Sequence, residues 1–134
     1  MKLQELLDNP VPWERSEEQS PYEYSAEFDV EGVHYSATMI GDKDHPWELL
    51  FKATSGRDGW GITGTGNQFT VFATVFDFVK EAIKAKHMES FYFTAKESSR
   101  KRLYKLFAVN LAKAIGYTYK MIEEGEESYF IFVR

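Results

Sequence analysis

The hydrophobic period of this chain first switches, from that of strands to that of a helix, near Asn67, and that switch restricts the folds open to it. Tyr22, Tyr24, Ala26, Phe28 and Val30 alternate with Glu23, Ser25, Glu27 and Asp29, the pattern of a strand covered on one face. Glu31-Gly32 reads as a tight turn. Val33, Tyr35, Ala37 and Met39 then resume the alternation, so the two runs should pair as an antiparallel hairpin. After a polar loop from Gly41 to Pro46, Trp47, Leu49, Phe51 and Ala53 give a third strand. From about Asn67 the spacing turns helical: Phe69, Phe72, Ala73, Phe76, Val79 and Ile83 fall on one side. Val71, Val75 and Phe78 widen the apolar sector, so this helix should lie on a sheet with other elements beside it.

The junction between the two periods is Ile62-Thr63-Gly64-Thr65-Gly66-Asn67, after a turn at Ser55 to Gly59 and an extended stretch from Trp60. Glycines at a strand-to-helix junction leave backbone N–H groups bare, and the helix dipole adds positive potential there. The stretch therefore suits a phosphate, although Gly-x-Gly also serves as a plain tight turn. Asn67 is placed to cap the helix, and Lys80, Lys84, Lys86 and His87 suit its C-terminal end.

Beyond it, Ser90 to Ala95 reads as a strand with Phe91 and Phe93 on one face. Ser98 or Ser99 can cap a helix carrying Leu103, Leu106, Phe107, Leu111, Ala114 and Ile115, with Gly116 as its stop. Tyr117–Glu123 and Ser128–Arg134 complete the strands around a turn at Glu124-Gly125. Before the first strand, Leu3, Leu6 and Leu7 suit a short amphipathic helix ended by Asn9-Pro10. Residues 11–21 read as an irregular acidic arm that Trp13 could pin to the body.

The length, 134 residues, is that of one domain spanning 1–134, and 43% hydrophobic residues supply a real core. A net charge of -5 argues against a general nucleic-acid coat protein while leaving room for a local basic face. With no cysteine, disulfides, thiolate metal sites and cysteine nucleophiles are excluded. The residues from Met1 to Leu7 lack the apolar run of a secretory leader, and no segment reaches membrane-span length. The expectation is a cytoplasmic protein without membrane contact.

His34, His45 and His87 share no zinc-like spacing; His34 could pair with a carboxylate across the hairpin. Ser98, Ser99 and Ser128 lack a nucleophile elbow. Lys96, Arg100, Lys101, Arg102 and Lys105 form a dense basic cluster, suited to a phosphate group, to a nucleic-acid backbone, or simply to solvent.

The element order resembles the GNAT superfamily of acetyl-CoA-dependent N-acyltransferases. The matching features are Gly64-Thr65-Gly66 after the third meander strand, Leu103-Tyr104 on the next helix, and the closing Gly116-Tyr117. The resemblance covers roughly residues 22–134. It implies an α+β fold: a mixed, mostly antiparallel central sheet, a long central helix and a second C-terminal helix packed on it. A fainter resemblance is to small uncharacterised bacteriophage proteins with a Gly-Thr-Gly-Asn helix start and a Ser-Arg-x-x-Leu-Tyr helix. The chain also departs from the family pattern. Gly61 stands where Gln or Arg is usual, Glu97 where Asn is, and Arg100 where Ala is; Tyr104 precedes Gly116 by a dozen positions. The first strand and the paired helices that shape the acceptor site have no counterpart in the sequence pattern.

What the GNAT resemblance implies is specific. Acetyl-CoA would lie on Ile62, Gly64, Thr65, Gly66 and Asn67, with Arg100 beside its phosphates. Amide formation requires the amine to lose a proton and the thiolate to regain one. Tyr104 would reprotonate the sulfur, or else pack as an ordinary amphipathic tyrosine. Glu48 would act as base through water, or else is an outward-facing strand carboxylate. The alternative is a non-enzymatic phage-type protein that uses the same scaffold to bind a host protein or nucleic acid, with the glycine cleft filled.

Overall fold

The computed structural model describes residues 10–17, 20–42, 44, 46–53, 68–95 and 101–134. In chain order these form β1 (Glu14–Arg15), β2 (Glu23–Val30), β3 (Val33–Ile40), β4 (Trp47–Ala53), α1 (Gln68–Lys86), β5 (Ser90–Ala95), α2 (Lys101–Ile115), β6 (Thr118–Glu124) and β7 (Glu127–Val133). The strands make one sheet in the order β1-β2-β3-β4-β5-β7-β6, antiparallel except between β4 and β5. The expected short helix near Leu3 and the glycine stretch around Gly64 lie outside the described residues.

The register follows the alternation. Tyr24 opposes Met39 and Met39 opposes Leu49; Ala26 opposes Ala37 and Ala37 opposes Phe51. All of these side chains are buried on one face of the sheet. The hairpin turn places Glu31 at φ 47° and Gly32 at φ 81°, the double positive φ of a type I′ turn, whose twist matches that of the flanking strands.

α1 and α2 cover that face together. Phe107 of α2 touches Phe72 and Phe76 of α1 at ring separations of 4.8 and 5.2 Å, and Phe51 and Phe93 of the sheet at 5.4 and 5.3 Å. The broad apolar sector of α1 is thereby explained: sheet below, α2 alongside and the N-terminal arm against it. Trp13 packs edge-on to Phe78, and its indole N–H donates to Asp77 at 3.2 Å. The Val11 amide donates to Thr74 Oγ1 at 3.0 Å, which satisfies a hydroxyl-bearing residue buried in the core.

The arm is more ordered than its sequence suggests, and one expectation is corrected. A first strand exists: Glu14 and Arg15 pair with Glu27 and Ala26 on the edge of β2. Both residues are exposed, so no apolar alternation marks them. Backbone pairing holds them, with the Arg15 guanidinium 4.2 Å over the Tyr24 ring. Residues 16–22 then lead to β2, and none of those described is helical. At the far end, Gly116 at φ 76° stops α2, and the amides of Gly116 and Tyr117 both donate to the Ala112 carbonyl.

Candidate functional site

The sheet is interrupted at one place. β4 and β5 pair only as Trp47 with Phe91 and Glu48 with Tyr92. Beyond these positions β4 runs on to Ala53 and β5 to Ala95 with no ladder between them. Each remains paired on its other side, β4 with β3 and β5 with β7. The two strands therefore part like a wedge whose apex is Glu48 and Tyr92 and whose mouth lies at their C-terminal ends. A wedge of this kind leaves main-chain N–H and C=O groups of two facing strands without ladder partners.

The helices are aimed at the same end. Only His87, Met88 and Glu89 separate α1 from β5, so the C-terminus of α1 sits at the start of β5 and its N-terminus lies toward the mouth. Only Gly116 and Tyr117 separate α2 from β6, and the same reasoning turns its N-terminus the same way. Two helix N-termini, each the positive end of a helix dipole, thus face the opening. In open sheets such a place, at the carboxyl ends of parallel strands, is where ligands bind. On the helix side the wedge is floored by Phe107, which touches Phe51 on one wall and Phe93 on the other.

Glu48 occupies the apex and is half-buried. Its cross-strand partner is Tyr92. Burial, followed by the Glu48 charge and a hydrogen-bonding contribution from it, raises the Tyr92 phenol above its ordinary value. Tyr104 lies on α2 with its side chain 1% exposed and its ring edge-on to Phe93 at 6.5 Å. Ile62, Gly64, Thr65, Gly66, Asn67 and Arg100 lie outside the described residues. Of the basic cluster, Arg102 and Lys105 are exposed on α2. His34 makes the pairing expected of it: Nδ1 lies 2.8 Å from Asp29 and Nε2 lies 2.9 Å from Glu27. Among the described residues no group of three or more His, Asp or Glu side chains is placed to hold a metal, and no helix is long and apolar enough to cross a membrane.

Sequence reading missed Tyr92 and, across β7, Tyr129. The signal was present: Phe91 and Phe93 alternate with Tyr92, and Phe130 and Phe132 alternate with Tyr129 and Ile131. Strands apolar on both faces announce a second surface in use.

This architecture is GNAT-like. The crystal structure of the GNAT domain of S. lividans PAT aligns with a TM-score of 0.52 and 12% identity over 89% of this chain, and this chain spans 65% of that one. An acetyltransferase of the GNAT family from Streptococcus pneumoniae aligns with a TM-score of 0.44 and 16% identity, covering 85% of this chain and 68% of that one. No protein-family model and no curated protein sequence matches the chain. The expected α+β class, with a mostly antiparallel sheet, a long central helix and a second helix beside it, is the one observed.

Proposed function

We propose that this protein is an acetyl-CoA-dependent N-acyltransferase. The observation that carries the reading is the parting of β4 and β5 after a two-pair apex, with the N-termini of α1 and α2 turned to the mouth. A long, amide-bearing cofactor arm can add to the free edges of the wedge as a strand adds to a sheet. Its pyrophosphate would be taken by the sequence Ile62, Gly64, Thr65, Gly66 and Asn67 that precedes α1, with Arg100 as a cation for it. The bound cofactor supplies an activated acetyl group; the chain's residues orient it and move protons.

In this reading Glu48 at the apex draws the proton from the incoming ammonium, directly or through a water. Tyr92, opposite it across the ladder, stands beside the carboxylate. The neutral amine would take the acetyl group that a bound thioester supplies, and the chain would have to return a proton to the leaving thiolate. Tyr104 is the proposed donor; its place against Phe93, a wall of the wedge, supports the assignment, and its burial supports a packing role equally well. Tyr104→Phe separates the two. An acid loses turnover with substrate affinity kept, whereas a packing residue loses neither.

Isothermal titration of the full chain with acetyl-CoA and with CoA tests the binding step. Saturation at a hundred times the dissociation constant should also stabilise the fold by about 2.7 kcal/mol, read as a rise in Tm. No heat and no thermal protection at millimolar cofactor would end the acyl-transfer reading and leave the non-enzymatic scaffold, with a protein or nucleic-acid partner, in its place.

A further inference from the structure

The two edges of the sheet are unlike. β1 contributes two residues, Glu14 and Arg15. β6 ends the other side with seven, Thr118–Glu124, and no described strand lies beyond it. The hairpin fixes which of its main-chain groups look outward. Gly125, at φ 62°, and Glu126 make a tight turn closed by Glu124 and Glu127. Closing the turn points the Glu124 main chain at β7, and by alternation those of Ile122 and Lys120 as well. Tyr119, Met121 and Glu123 therefore turn their N–H and C=O groups to the open side. An edge of this length is a template for another strand.

Side chains decide which strand fits. On the face away from the helices β6 carries Lys120, Ile122 and Glu124, all exposed, Ile122 by 38%. Within the chain both charges have poor neighbours: Glu124 opposes Glu127, a like charge, and Lys120 opposes apolar Ile131. A lysine on an edge ordinarily discourages further pairing. Here the strand complements itself in one register. A two-fold axis normal to the sheet keeps every residue on its own face, so antiparallel self-pairing must centre on a residue. Centred on Ile122, Lys120 of each copy meets Glu124 of the other, and Ile122 meets its counterpart. Met121 of each copy then exchanges main-chain hydrogen bonds with Glu123 of the other. Centring on Lys120 or on Glu123 sets like charges face to face, and centring on Met121 sets Lys120 against Ile122. Because Tyr129 opposes Ile122, the matching register also makes an unbroken row of rings and branched side chains from β7 of one copy to β7 of the next.

We propose that two copies of this chain join through their β6 edges, antiparallel about an axis at Ile122, into one continuous sheet. β1 offers too short an edge for head-to-tail growth, so the pairing closes as a dimer. β7 separates β6 from the β5 wall of the wedge, so the contact is made away from the proposed cofactor site. The dimer stands whether or not the acyl-transfer reading does.

Sedimentation of the full chain over a concentration series tests it first, and a dimer should form as concentration rises. Lys120→Glu and Glu124→Lys each reverse one exposed charge, and each should weaken the dimer about tenfold or more, since two attractive contacts become repulsive. The double variant, and an equimolar mixture of the two single ones, should both restore association, because each brings opposite charges together again. Cross-linking then tests the register. The chain has no cysteine, so Ile122→Cys introduces a single thiol. Across the axis its two Cα atoms should stand about 4.5 Å apart, within disulfide reach, and mild oxidation should give a covalent dimer. Thr118→Cys sets its two thiols roughly 26 Å apart and should give none. A chain that sediments as a monomer throughout would overturn the proposal and leave this edge to a strand of another protein. Association untouched by the charge reversals, or equal cross-linking at the two positions, would overturn it as well.

Discussion

Truncating Phe107 to Ala probes a side chain of α2 that touches both walls of the wedge and the packing surface of α1. Phe107 is fully buried and stands 4.8–5.4 Å, ring to ring, from Phe51, Phe72, Phe76 and Phe93. A buried Phe→Ala change costs about 3–5 kcal/mol, the lost transfer energy plus the cavity left behind. Four aromatic neighbours spread over three elements cannot close together into the space, so the upper half of that range applies. Domains of this kind have roughly 5–15 kcal/mol in all, so the variant should remain folded but marginal. With a urea slope of roughly 1–3 kcal/mol per M, the unfolding midpoint should fall by on the order of 2 M. Leu106, the preceding residue on α2, is 37% exposed and serves as the control; Leu106→Ala should cost about 1 kcal/mol or less. Urea melts followed by circular dichroism read both. A Phe107→Ala loss no greater than that of Leu106→Ala would refute the view that this ring joins the parted strands.

The remaining predictions concern charge and backbone. The hydrogen bond to Glu27, then that to Asp29, raises the His34 pKa above 6.5, so its contribution to stability is fully present below 6.5 and fades as pH rises through the higher folded value. NMR titration should find that midpoint above 6.5 and find it lowered in Glu27→Gln; a parent midpoint at or below 6.5 would contradict the pairing. Gly116→Ala places a Cβ in open space but at φ 76°, so its cost is torsional alone, about 1–2 kcal/mol by thermal melting. No loss there would mean that α2 ends differently.

Strand pairing was legible where the pattern was local. The alternation from Tyr22 to Met39 fixes which side chains face the core, and the Glu31-Gly32 turn fixes the register, because a one-residue slip would reverse both faces. The crowding around α1 was legible too, from Val71, Val75 and Phe78 outside the main stripe. Glu14 and Arg15 were not, since an exposed edge pairing made through the backbone leaves no hydrophobic trace. Nor was the wedge. Whether Leu49 to Ala53 pairs with Phe93 to Ala95 depends on contacts between segments some forty residues apart, and neither segment's own composition reports on it. Glu48 could be named as a candidate from its strand position, but its link to Tyr92 needed the cross-strand register. The other candidates, around Gly64 and at Arg100, depend on residues outside those described.

The division of labour between the two faces follows from handedness. β4-α1-β5 and β5-α2-β6 both join parallel strands, and both advance in the same direction across the sheet. Crossovers of this type are nearly always right-handed, so two that advance the same way must place both helices on one face. The contacts of Phe107 with Phe72 and Phe76 agree. Stability is then concentrated under α1 and α2, while Glu48, Tyr92, Tyr129 and Ile131 look outward from the same strands. Substitutions at inward positions such as Phe93 and Phe130 should therefore lower Tm before they alter ligand affinity. Outward ones one residue away, such as Tyr92 and Tyr129, should change ligand affinity with Tm nearly unmoved. A variant set in which both positions of a strand moved the two quantities together would mean that the outer face, too, is part of the core.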